Sequence, residues 1–445
     1  MPHLITPALH KHRAMFSLLW ALLLSACGGG NTPETTVAAV TSTPAAVSVA
    51  TTPLTASPTA STTPAASTVT LLELGRLIFN DKALSTSGKM ACATCHDPAF
   101  GHASNPALGA TIAGGTDGLQ PGQRNVPTLG YLRFVGPLGV NLAEAEVYGG
   151  LNWDGNANSF LEQAQRPFLS NHEMGNVTPD AFLAKLSKAS YFSRFESFFG
   201  KEIASKPAKA LEASAAAVAE FQAADPSFAS FDSKFDSVQA GKALFSVQEA
   251  RGFAWFSDPA KGNCAACHVP TPVSAFIPAL FTDFGYDNVG VPRNMDIAAN
   301  KNPDHFDLGV CKSTLGSIID LTSLCGAFRA PTLRNITKTA PYFHNGKFAT
   351  LKEVLEFYVT RDLDPARWYP SKSGVVNLYD DVPLAYKSNV NTEVAPYDRK
   401  LGDAPALTAT EIDDILVFLK TLDDGWKPAL GTVAARATGP AKTTR

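Results

Sequence analysis

The sequence predicts a mainly α-helical protein of two related domains with long loops, preceded by a signal segment and a disordered linker. Three observations predict it. The pattern Cys-x-x-Cys-His occurs twice, at Cys92-Ala-Thr-Cys95-His96 and at Cys264-Ala-Ala-Cys267-His268. A short apolar stripe with the look of a helix stands ahead of each, Gly75-Arg-Leu-Ile-Phe79 before the first and Gly241-Lys-Ala-Leu-Phe245 before the second. Few stretches alternate as a strand would, whereas residues 204–221 are Ala-rich and strongly helical by propensity.

In chain order, residues 10–13 form a small basic patch, and residues 15–24 are an almost wholly apolar run too short to span a bilayer. Leu24-Ser-Ala-Cys27 follows, then three glycines. Residues 1–26 therefore read as a lipoprotein signal, with cleavage before Cys27 and lipid on its sulfur; the alternative is an ordinary secretory signal with an incidental cysteine. Lipid chains would hold the protein at a membrane by burying methylenes, without a spanning helix. The expected location is periplasmic and membrane-anchored, the outer membrane favoured over the inner. Residues 27–70 are dense in Thr, Pro, Ala and Ser with almost no charge, and should act as a tether. The remainder is long enough for two domains. These are placed at 71–238 and 239–430, with the 204–221 helix ahead of the boundary and a disordered tail over 431–445. A net charge of −3 gives no reason to expect nucleic acid as a partner.

Cys-x-x-Cys-His is the spacing of covalent c-type haem attachment. Two thiols add to the porphyrin vinyl groups, and the adjacent His is held under the ring where it can ligate iron. A lone Cys-x-x-Cys would be weak, since zinc sites and thiol redox pairs share it. One zinc site built from both pairs would leave both histidines without a role. The reading is thus two covalently bound haem c groups in two cytochrome c-like domains, with His96 and His268 as proximal ligands. Four cysteines go to haem and Cys27 to lipid, which leaves Cys311 and Cys325. In an oxidising compartment these should form a disulfide worth about 3 kcal/mol in the chain-entropy model; the alternative is two free thiols.

Beyond the haem motifs the sequence resembles a known family. Gly122-Gln-Arg-Asn125-Val-Pro-Thr128, Trp153-Asp-Gly155, Leu161-Glu-Gln163-Ala, Glu173-Met-Gly175, Pro331-Thr-Leu-Arg-Asn335 and Thr339-Ala-Pro341-Tyr-Phe-His344-Asn-Gly, taken with the paired motifs, look like the bacterial di-haem cytochrome c peroxidase and MauG superfamily. The resemblance covers residues 71–426. It implies that hydrogen peroxide meets the N-terminal haem, and that Glu173, Gln163 and Pro167 form the distal pocket, with Glu173 moving a proton between the peroxide oxygens. It places Trp153 between the haems as an electron relay. It makes Asn125, Thr339 and Pro341 the protein ligands of an inter-haem calcium, an oxygen-only set that suits that ion. His344 is expected to be structural.

Some relatives carry a second His on the N-terminal haem, about sixteen residues beyond the proximal one. Here Ile112 stands near that place, and His102 comes too early. The N-terminal iron is therefore expected to be five-coordinate. On the C-terminal haem, peroxidases of the family use Met and MauG uses Tyr. Thr350-Leu-Lys-Glu353 reads as a capping box, and Leu351, Val354, Leu355 and Tyr358 follow at helical spacing. Tyr358 is thereby expected as the distal ligand; the alternative is a core Tyr closing an apolar stripe. A second capping box, Thr408-Ala-Thr-Glu411, should start a final helix carrying Ile412, Ile415, Leu416, Leu419 and Leu422.

Met/His ligation raises a haem potential, whereas a phenolate favours the ferric and higher states. The resemblance thus implies one of two catalysts. The first is a peroxidase drawing electrons from a small cytochrome or cupredoxin. The second is a MauG-like oxidase acting on aromatic side chains of a partner protein. A non-catalytic electron-transfer cytochrome would need no distal acid, and Glu173 with Gln163 speaks against it.

Overall fold

The computed structural model describes residues 69–428, apart from 110, 113 and 143–145. The lipoprotein signal with Cys27, most of the linker and the C-terminal tail lie outside the described residues. Among those described, no helix is long and apolar enough to cross a membrane. The fold is helical, and its described sheets are three two-stranded ribbons.

Two helix crossings organise the chain. In the first, Leu71–Asn80 lies across Pro207–Ala224. Thr70 starts the shorter helix with a capping box: the Glu73 amide donates to the Thr70 hydroxyl at 3.2 Å, and the Thr70 amide donates to the Glu73 carboxylate at 2.9 Å. The longer helix begins at Pro207 because proline is well suited to the first helical turn. At the crossing, a Cβ on Gly75 would lie 1.9 Å from the Ala217 carbonyl oxygen, so only glycine lets the two backbones approach this closely. Around them Leu74, Ile78, Phe79, Phe168, Phe182 and Phe195 form an apolar core drawn from residues 69–228.

In the second crossing, Val247–Ser257 lies across Ala409–Leu419. Both begin with capping boxes, Ser246 with Glu249 and Thr408 with Glu411. A Cβ on Gly252 would lie 2.1 Å from the Asp414 carbonyl oxygen. The geometry at Gly75 recurs at Gly252, which corrects the expected repeat. Gly241-Lys-Ala-Leu-Phe245 is not helical. Gly241, at φ 68°, closes the Lys234–Gln239 helix in the left-handed region, and Ser246 caps the next helix directly after Phe245. The second core gathers Phe235, Phe256, Phe281, Phe357, Ile415 and Phe418 from residues 235–422. The change from one core to the other lies between Phe228 and Phe235.

A smaller cluster, Val147, Tyr286, Val310, Leu321 and Ala327, sits beside the Cys311–Cys325 disulfide, whose Cα atoms are 5.0 Å apart. The two cores are tied by buried polar groups. Arg334 pairs with Asp236 at 2.8 Å under the rings of Tyr131 and Phe231. Tyr131 and Asn335 both donate to Asp424.

Candidate functional site

Each Cys-x-x-Cys-His forms a tight turn that ends at its histidine. Cys92–Cys95 is one helical turn, and Cys264–Ala266 is a 3-10 turn. The two pairs line separate cavities, so they do not make one shared metal site. Neither pair is bridged by a disulfide. Burial pushes the thiols of Cys92, Cys95 and Cys264 up to about 12. A redox dithiol needs the opposite shift, toward thiolate.

His96 is half-buried. Its Nδ1 lies 3.2 Å from the His102 carbonyl and 3.1 Å from the Pro127 carbonyl. Carbonyls only accept, so Nδ1 carries the proton and Nε2 keeps its lone pair. Burial lowers its pKa to about 4, which holds the ring neutral. His268 repeats the arrangement, with Nδ1 donating to the Phe281 carbonyl at 3.0 Å and burial again lowering the pKa. A neutral imidazole fixed through Nδ1 beside two half-buried thiols is the donor set that a covalently attached haem requires, and the tautomer is the one that ligates metal through Nε2.

The first cavity has two connected parts, of about 1700 Å³ and 510 Å³ with the open mouth included. Cys95, His96, Gln163, Glu173 and Gln222 line both, and Pro167 lines the smaller. Gln163 and Pro167 come from the Phe160–Leu169 helix, which Ser159 caps. Glu173 sits on the turn that follows. That turn is fixed from outside: the Gly115 amide donates to the Glu173 carbonyl at 2.7 Å, and a Cβ on Gly114 would lie 2.3 Å from the His172 carbonyl. Burial raises the Glu173 pKa, against the Ser170 hydroxyl and the charge of His172, so the carboxyl exchanges a proton at a higher pH than an exposed one. Ile112 also lines this cavity, at the place where some relatives carry a second His. His102 does not line either part. Its ring stacks on Phe228 at 4.0 Å and its Nε2 reaches the Ser227 carbonyl at 3.2 Å.

The second cavity holds about 1460 Å³, with the open mouth included, and is lined by Cys264, Cys267, His268 and Tyr358. The Leu351–Thr360 helix brings Tyr358 there, on the same stripe as Val354 and Leu355. Burial and the neighbouring Cys264 and Cys267 raise the Tyr358 pKa, and a hydrogen bond with Tyr397 opposes them. The two phenol rings meet edge to face at 5.6 Å. His344 is buried in the same wall, stacked on Phe328 at 3.5 Å.

Trp153, Asp307 and Arg329 line both cavities. The Trp153 indole donates to the Asn125 carbonyl at 2.8 Å, which fixes its orientation. Asn125 meets the segment carrying Pro341: its Nδ2 lies 2.6 Å from the Pro341 carbonyl, and its Oδ1 is buried without a partner. An asparagine amide exchanges its oxygen and nitrogen by a half-turn of its end group. Turned over, the oxygen would face that carbonyl, a contact that calls for a cation. Asn125 and Pro341 thus fit the expected calcium set. Thr339 stands two residues before Pro341 on the same segment, and with its hydroxyl donating to the Ile336 carbonyl at 3.3 Å the oxygen it would offer the ion is its main-chain carbonyl.

Three participants were not foreseen. Gln222, on the Pro207–Ala224 helix, is buried with Oε1 unpartnered and lines the first cavity. Tyr397 backs Tyr358. Arg124 holds Asp307 through two bonds of 2.6 and 2.8 Å and Asp154 through one of 2.8 Å, beside the shared wall. Gln222 and Tyr397 arrive from segments that no local pattern marks, and Arg124, inside the Gly122–Thr128 motif, gains its role from acids distant in sequence.

A family model described as di-haem cytochrome c peroxidase matches residues 70–244. The chain is 36% identical over 293 residues to the methylamine utilization protein MauG of Paracoccus denitrificans, covering 65% of this chain and 74% of that protein. It is 31% identical over 288 residues to the cytochrome c551 peroxidase of Pseudomonas aeruginosa, covering 64% of this chain and 70% of that protein. The crystal structure of the diheme peroxidase BthA from Burkholderia thailandensis superposes with a TM-score of 0.74 at 36% identity, covering 80% of this chain and 86% of that one.

Proposed function

The chain belongs to the di-haem cytochrome c peroxidase and MauG family, and on that premise we propose that it reduces hydrogen peroxide to water at the first cavity, using electrons that enter by way of the second. The observation that carries this reading is the meeting of Glu173 and Gln163 with Cys95 and His96 in one cavity, while Trp153 walls both cavities. Bound at Cys92, Cys95 and His96 and at Cys264, Cys267 and His268, the haems supply the redox centres. The protein supplies the rest. Glu173 takes a proton from the near peroxide oxygen and returns it to the far one, and two further protons and two electrons complete two waters. Gln163 orients the peroxide by hydrogen bonding. The Trp153 indole, which lines both cavities, offers an aromatic route between them.

A second reading is favoured by one feature, the Tyr358 phenol in the second cavity. A phenol ligand there supports oxidation of an aromatic side chain on a partner protein, as in the MauG-like case. Mixing the holoprotein with peroxide separates the two. Rapid turnover of a reduced small cytochrome supports the peroxidase. A spectral change that persists without donor and decays on adding a protein substrate supports the oxidase. No spectral change at all would exclude both.

Four further points belong to the proposal. A haem held by His96 would be left open toward Glu173. Asn125 through its side-chain oxygen, and Thr339 and Pro341 through main-chain carbonyls, would hold a calcium ion. The chain divides into two haem domains, 71–238 and 239–430. A lipid on Cys27 anchors it in the periplasm, a reading that rests on sequence alone.

A further inference from the structure

Arg329 is only 5% exposed. It sits on the Phe328–Arg329 strand, opposite Tyr286 in the ribbon with Tyr286–Asp287. Its amide donates to the Trp153 carbonyl at 2.9 Å and its Nε to the Asn152 carbonyl at 3.3 Å. Its guanidinium lies 5.6 Å over the Phe284 ring, and Nη1 is buried with no partner. Among the described residues no carboxylate pairs with it. Of the acids that line the same cavities, Asp307 and Asp154 are held by Arg124 and Asp381 by Arg293.

A buried guanidinium with no counter-ion is costly. Arginine stays protonated, so the charge cannot be relieved by losing a proton. Such a site calls for an anion that arrives with a ligand, and a planar fork suits a carboxylate. Arg329 lines both cavities. A haem carries two carboxylates, on its propionate arms. We propose that Arg329 is the counter-ion of a haem propionate at the wall between the two cavities, and that its charge sets the potential of the haem it meets. This rests on the two-haem reading, and which porphyrin supplies the carboxylate is what the test decides.

The test is a redox titration of the purified holoprotein, followed by visible spectra so that the two haems are resolved. Removing a cation beside a haem favours its more positive, ferric form. Arg329→Gln is expected to lower the midpoint of one haem by about 59 mV, a tenfold change in its reduced-to-oxidised ratio for a one-electron couple. The haem that shifts is the one whose propionate Arg329 holds. Arg329→Lys, which keeps the charge, is expected to stay near the wild-type midpoint. Two unchanged midpoints in Arg329→Gln would overturn the assignment. Should Arg329→Gln mature without haem, Arg329→Lys carries the test: both haems at wild-type midpoints support the proposal, and loss of haem in both variants assigns Arg329 to the fold and overturns it. A wild-type protein with a single chromophore would instead sink the two-haem reading, so the two failures are told apart.

Discussion

The two haem cores share their scaffold and differ in what faces the cavity. Each has a helix crossing closed by a glycine, Gly75 or Gly252, against a backbone carbonyl. Each has a histidine whose Nδ1 is fixed by main-chain carbonyls and whose ring is kept neutral by burial. On the facing side the first core presents a carboxyl and two amides, Glu173, Gln163 and Gln222, while the second presents a phenol backed by another phenol, Tyr358 and Tyr397. The shared half can attach and ligate a cofactor. The first adds Glu173, a carboxyl of raised pKa set in one cavity with Cys95 and His96, where it can exchange a proton with a small polar substrate. The division of labour therefore lives in a few facing side chains rather than in the fold.

Breaking the proton-handling side should give the largest effect. Glu173→Gln keeps shape and hydrogen bonding but cannot take a proton, and peroxide turnover is expected to fall by about 10²–10⁴-fold in steady-state assays. The spectrum of the second haem should be unchanged. Since burial raises the Glu173 pKa, the carboxylate is lost at a higher pH than for an exposed acid. Wild-type turnover should therefore decline on acidification above the ordinary carboxylate range, and that limb should vanish in the variant. An unaltered pH profile would remove Glu173 from the reaction.

The corresponding change on the other side is Tyr358→Met. A thioether in place of a phenol ligand raises a haem potential, so the second midpoint is expected to move upward while peroxide still reacts at the first. An unmoved second midpoint and spectrum would show that Tyr358 is a wall residue only.

How much of this was legible depended on distance along the chain. Cys92, Cys95 and His96 are contiguous, and their spacing states their chemistry. The Tyr358 helix was legible as well, because Thr350 and Glu353 mark its start and the apolar period fixes its inward face. The repeat was half legible. Five residues resembling Gly75 to Phe79 occur at Gly241, but the fold uses Gly252, since what matters is a close approach to Asp414, over 160 residues away. Gln222, Tyr397, Arg124 and Arg329 were silent for the same reason. Each acquires its role from what the fold brings opposite it.

The crossings themselves can be compared. A methyl group at either glycine would run into backbone, which cannot move aside as a flexible side chain can. Gly75→Ala and Gly252→Ala are each expected to destabilise by roughly 1–3 kcal/mol, read from denaturant unfolding of the holoprotein. Gly241→Ala meets no neighbour but strains a left-handed residue, and should cost less, about 1 kcal/mol. A Gly252→Ala variant as stable as wild type would undo the equivalence drawn between the two cores.

The smallest effect tests whether helix starts matter equally on the two sides. Thr70 and Thr350 make the same capping box, and Thr→Ala at either should cost about 1 kcal/mol. The Thr350 helix carries Tyr358, so a wandering helix would be seen in the second haem as well as in stability. Tyr358 lies two turns beyond the cap, however, and its neighbours Phe357 and Val359 are packed in the core. Fraying confined to the first turn should leave it in place. Thr350→Ala is therefore expected to match Thr70→Ala in stability loss, with the spectrum of the second haem unaltered. A spectral change in Thr350→Ala alone would show that the cap, and not the core around Phe357, holds the phenol against the cavity.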